Sequence, residues 1–137
     1  MVHGHRSVPH TADLRVQAWA NTRAECVTEA VLAVLESFVR FDGLQPARTV
    51  TFQATGRSDS DLLVATLDEV IYLLDVTGDI PATTEATDSP EDLRVRFGLA
   101  PLPADRVVGA TPKAVTLHEL EFGRADGYWR CAVTLDT

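Results

Sequence analysis

The 137-residue chain is poor in basic residues: 12 Lys and Arg stand against 20 Asp and Glu, a formal net charge of −8. Clamping a phosphate backbone requires a basic footprint, so this balance argues against direct nucleic-acid binding. It suits docking onto a basic protein partner, where opposite charge speeds encounter. Cysteine is scarce too. Cys26 and Cys131 are the only two and show no CxxC spacing. They fit buried thiols in a reducing compartment better than a disulfide framework or a zinc site. No apolar run approaches the roughly 18 residues that span a bilayer. Met1 to Arg6 lacks the apolar segment of a signal peptide. The expectation is a cytoplasmic protein away from the membrane. A P-loop, a glycine-rich dinucleotide fingerprint, a nucleophile elbow and an HExxH helix are also missing. No stand-alone catalytic constellation is visible, and an enzyme is not expected.

What is present is an ordinary globular composition, 45% hydrophobic and 23% charged. The length suits one domain over residues 1–137, with residues 1–9 read as a frayed polar tail. No internal repeat or linker divides it. Leu14 to Trp19 reads as a first strand. Thr22 followed by Glu25 has the spacing of a helix capping box. Val27, Ala30, Val31, Val34, Leu35 and Phe38 then form one apolar stripe, and Asp42-Gly43 is the expected stop. Arg48 to Ala54 alternates as a strand. Ser58 to Asp61 opens a second helix, expected from about Asp61 to Asp75, with Leu63, Leu67, Val70, Ile71 and Leu74 buried. Gly78 to Pro81 reads as a turn and Ala82 to Ala86 as a short strand. Leu93 to Leu99, Lys113 to Leu120 and Tyr128 to Asp136 are further strands. Two amphipathic helices among several strands indicate α+β, with the helices on one face of a mostly antiparallel sheet.

Two carboxylates carry the best chemistry. Asp13 sits where a polar turn, His10-Thr11-Ala12, meets the first strand, and Asp136 ends the last strand. If those strands are neighbours, both carboxylates meet at one sheet edge, as a hard cation such as Ca²⁺ or Mg²⁺ prefers. Locally, an Asp before a strand also serves as a turn former, and an Asp near a chain end as a solvated charge. His118 and Lys113 are the next candidates. Strict alternation puts Thr116 and His118 on one face and Lys113 and Val115 on the other, so Lys113 and His118 share a pocket only across a bulge.

His10-Thr11-Ala12-Asp13, then Gly56 with Asp61-Leu62-Leu63, then Asp68 to Asp75, then Lys113 to His118, then Val133-Thr134-Leu135-Asp136 together resemble the archease family over nearly the whole chain. The resemblance implies an α+β protein built from strand-helix-strand-strand modules. It implies a chaperone-like protein cofactor of the GTP-dependent RNA ligase of tRNA splicing and RNA repair. That ligase joins 2′,3′-cyclic-phosphate or 3′-phosphate ends to 5′-hydroxyl ends, and the cofactor promotes its guanylylation and turnover. It further implies a divalent cation, Ca²⁺ ahead of Mg²⁺ or Mn²⁺, held by Asp13, Asp136 and the main-chain carbonyl of Thr137. His10, Lys113 and His118 form a candidate accessory site. A modulator of another RNA-modifying enzyme, such as a methyltransferase, is the alternative role. A metal-dependent hydrolase using Asp13, Asp136 and His118 ranks below both.

Overall fold

The computed structural model describes residues 3–10 and 13–137. Along them run β1 (Gly4–His10), β2 (Asp13–Ala20), α1 (Arg23–Phe38), β3 (Arg48–Ala54), α2 (Asp59–Thr77), β4 (Asp79–Asp88), β5 (Leu93–Pro101), a 3₁₀ turn at Ala104–Arg106, β6 (Ala114–Ala125) and β7 (Tyr128–Asp136). The α+β reading holds, and every strand pair is antiparallel. The strands divide into two sheets, ordered β1-β2-β7-β6 and β3-β5-β4. Each helix touches strands of both sheets.

Local chemistry explains most boundaries. The Thr22 hydroxyl accepts the Glu25 N–H at 3.1 Å and starts α1. Ser58 does the same for Asp61 at the start of α2, and Asp59 and Asp61 place negative charge at the positive end of the helix dipole. α2 ends on Gly78, whose φ of 76° needs the left-handed region that glycine enters freely. Asp126-Gly127 joins β6 to β7 with φ of 55° and 83°. Positive φ at both central residues matches the natural twist of a hairpin, which is why an Asp-Gly pair serves here.

Three boundaries differ from expectation. α1 stops at Phe38, before Asp42-Gly43, because Val39 turns extended and bridges Val107. β4 begins at Asp79 and runs to Asp88. It accommodates Pro81, which has no N–H to donate, through a register shift between Pro81 and Thr83. Gly4 to Pro9 belong to the edge strand β1 rather than to a frayed tail, because they pair residue by residue with β2. Side chains reinforce that pairing. His5 donates to Glu29 on α1 and contacts Glu36 at 2.8 Å, while His3 contacts Glu29 at 2.9 Å. Glu29 is buried, and these imidazoles answer its charge.

The core gathers Val16 and Ala18 of β2, the stripe of α1, Leu62, Leu63, Leu67 and Val70 of α2, Val95, Phe97 and Leu99 of β5, and Val133 and Leu135 of β7. Leu67 is 1% exposed. Leu67→Ala removes buried methyl groups and leaves a cavity, so chemical denaturation should show a loss of about 2–5 kcal/mol.

The clip on β1 generates a pH dependence. Burial lowers the pKa of His5, but the hydrogen bonds and charges of Glu29 and Glu36 outweigh it and raise it above the ordinary 6.5. The stabilisation is therefore fully present below about 6.5 and is lost as pH climbs through the raised folded value. Amide exchange in β1 should accelerate across that window. His5→Asn should flatten the dependence, and an unchanged profile in that variant would assign it to another group.

Candidate functional site

β2 and β7 lie side by side, and their register sets Asp13 directly opposite Asp136. Directly opposed residues share a face of the sheet with Cβ atoms about 4.5–5.5 Å apart. The same row continues outward on both sides: His10 is the backbone partner of Asp13, and Ala114 is the partner of Asp136. The Lys113 N–H donates to the Asp136 carbonyl at 2.8 Å, so β6 starts beside this end of β7. The structure thus brings Asp13, Asp136 and the Lys113 backbone to one end of the four-stranded sheet. Thr11, Ala12 and the side chain of His10 lie outside the described residues. Thr137 follows Asp136 and is half-buried.

Among the described residues, neither Asp13 nor Asp136 has a hydrogen-bond or ion-pair partner for its carboxylate. Nor does a group of three or more His, Cys, Asp or Glu side chains form a ready metal cage among them. The pair is a two-carboxylate edge: all oxygen, partly open to solvent and of one sign.

The next row on the same face is organised by Arg15. Its guanidinium donates to the Thr134 hydroxyl at 2.9 Å and to the Glu119 carbonyl at 3.0 Å, and pairs with Glu121 at 3.3 Å. Only 12% of the side chain is exposed. Arg15 was not singled out in the sequence. Its signal is a cation on the polar side of an alternating strand, which reads by default as solvated charge. Beside it, the Thr116 hydroxyl is buried without a hydrogen-bond partner among the described residues.

Arg15 anchors a bulge that breaks the strict alternation of β6. Thr116 pairs with Thr134 and Glu121 with Ala132, so Leu117 to Leu120 stand against the single residue Val133. Glu119 takes a positive φ of 55° within it. Face assignments by alternation therefore stop at Thr116, and His118 no longer follows from Thr116. Its side chain is 77% exposed and lies 3.5 Å from Glu119. Leu117 is 71% exposed beside it. His118 is thus a projecting surface group on the bulge, whereas Lys113 stays at the carboxylate end.

Comparison with known proteins identifies the family and the fold. The model of the archease protein family matches residues 5–137. A probable protein archease of Mycobacterium tuberculosis is 48% identical over 133 residues, covering 97% of this chain and 74% of that protein. A protein archease of Methanopyrus kandleri is 30% identical, covering 94% of this chain and 96% of that one. Among solved structures, protein 1598 of Methanobacterium thermoautotrophicum superposes with a TM-score of 0.72 at 22% identity, covering 98% of this chain and 99% of that one. An archease of Thermotoga maritima, described as a possible chaperone, superposes at 0.69 and 22% identity, covering 95% of this chain and 94% of that one. The backbone likeness supports the fold, the sequence match runs through both carboxylate-bearing strands, and the chain belongs to the archease family.

Proposed function

We propose that this chain is a non-enzymatic protein cofactor of a GTP-dependent RNA ligase, one that joins 2′,3′-cyclic-phosphate or 3′-phosphate ends to 5′-hydroxyl ends. It speeds guanylylation of the ligase and returns the stalled enzyme to cycling. Family membership supports a helper role, and so does the description of the T. maritima relative as a possible chaperone. That description also favours a second reading, a modulator of another RNA-modifying enzyme such as a methyltransferase.

The observation that carries the reading is the register of Asp13 against Asp136. Two like charges side by side repel. A cation between them offsets that repulsion. The donor set fits a hard divalent ion, Ca²⁺ ahead of Mg²⁺ or Mn²⁺, because Ca²⁺ accepts carboxylates, carbonyls and waters in flexible number. Asp13, Asp136 and the main-chain carbonyl of Thr137 would hold it, and the bound ion would supply positive charge for orienting anionic groups at the partner's active site. The chain's own residues do the rest. The β2–β7 ladder positions the pair, the Lys113 N–H fixes the Asp136 carbonyl, and the exposed Lys113 side chain provides a polar contact at that end, while His118 projects from the bulge farther along β6. The net charge of −8 steers the protein toward a basic partner.

Loss of the cation site should hurt activation more than folding. Asp13→Ala and Asp136→Ala should melt within a few degrees of wild type in metal-free buffer, since each substitution relieves repulsion at a partly exposed edge. Both should fail to accelerate guanylylation of the cognate ligase. Full activation by Asp13→Ala would overturn the cation mechanism, and acceleration of a methyltransferase but no ligase would select the second reading.

The protein alone should not turn over phosphoesters or nucleotides, because no nucleophile–base pair or phosphate cradle accompanies the carboxylates among the described residues. Metal-dependent hydrolysis that disappears in purified Asp13→Ala would instead make it a hydrolase.

A further inference from the structure

The face of the four-stranded sheet that carries Asp13 and Asp136 also carries, at its opposite end, a shallow concavity of about 550 Å³. Register places Trp19 opposite Arg130 and, in the adjacent row, Arg6 opposite Gln17. Small residues make its floor, among them Gly123 and Ala132, and Tyr128 lines it as well. Gly4 is required beside it, since a Cβ there would lie 2.5 Å from the Trp19 ring. Arg6 stands over that ring, 6.0 Å from its centroid, and donates to Gln17.

The clustering of charge is what marks this end of the sheet. Arg15, Arg23, Arg48 and Arg96 sit in ion pairs with carboxylates, while Arg40, Arg57, Arg94 and Arg106 have none among the described residues and lie outside the concavity. Among the described residues, Arg6, Arg130 and the rim residue Arg124 have no carboxylate partner, although the chain is net negative. Three unmatched guanidinium groups beside a tryptophan and a tyrosine form a local basic, aromatic patch. Arg, Trp and Tyr are also the residues that dominate binding energy in protein interfaces.

We infer that this concavity is a docking groove for a short acidic peptide segment of a partner protein. Charge complementarity selects an anion. Three cations cannot track a long polyanion against a net charge of −8, and Glu121 also lines the groove, so a peptide with a few carboxylates fits better than RNA. Trp19 and Tyr128 then cover the apolar side chains between the acidic ones. The groove is independent of the carboxylate pair, at the other end of the same strands.

The test is an NMR titration of the full ¹⁵N-labelled chain with a synthetic glutamate- and leucine-containing decapeptide. A lysine decapeptide and a single-stranded RNA decamer serve as comparators. The acidic peptide should shift the Trp19 indole N–H and the Gln17 and Arg130 amides. Arg130→Ala and Arg6→Ala should each weaken it about tenfold. Arg96→Ala on the other sheet should not, and neither should Asp13→Ala, which separates this groove from the cation reading. Absence of shifts at about millimolar peptide, shifts confined to other surfaces, or arginine variants that bind like wild type would overturn the inference. Tighter binding of the RNA decamer at the same residues would overturn it in favour of a nucleic-acid groove.

Discussion

The pairing of β2 with β7 is the constraint on which the rest depends. It joins strands from opposite ends of the chain, so the contact closes a loop of more than a hundred residues and must be rewarded by burial. The reward lies on one face, where Leu14 meets Leu135 and Val16 meets Val133. A slip of one residue would turn those leucines to solvent and drive Asp13 and Asp136 toward the core. Core packing thus determines the register, and the register sets the two carboxylates opposite each other. The site costs the fold little because it occupies the side of the ladder that the core does not use.

On that second side, charge is graded along the strands. Carboxylates occupy one end, Arg15 ties the middle, and Arg6 and Arg130 occupy the other. Arg15 joins β2 to β7 through Thr134 and to the β6 bulge through the Glu119 carbonyl. A bulge breaks ladder hydrogen bonds and has to be held by something else. A largely buried guanidinium with several donors suits that task better than a lysine would. The exposed segment Leu117–Glu119 is therefore held at its base while its side chains project.

The edge strand β1 shows the same division between backbone and side chains. Its ladder to β2 satisfies one set of backbone groups, and His3 and His5 join it to Glu29 and Glu36 of α1. Glu29 lies within the buried face of a helix whose sequence stripe reads as purely apolar. The charged residue is tolerated because basic groups from another strand reach it.

Much of this was legible in the chain itself, wherever the cause was local. Thr22 and Ser58 as caps, the turn at Gly78, the core stripes of both helices and the alternation of β3 and β5 follow from hydrogen bonding and periodicity within a few residues. The archease motifs marked Asp13 and Asp136 in advance. What a linear reading could not supply were the effects of distant partners. Val39 leaves the helix because Val107 lies across from it, residues 4–9 become a strand because β2 offers its edge, and β6 bulges because Arg15 waits on another strand. The sequence by itself determined which residues are capped, buried or charged, since those properties depend on near neighbours. Only the tertiary structure decided which charges meet, because the distance between Asp13 and Asp136 is set by a register that the core enforces across the whole chain.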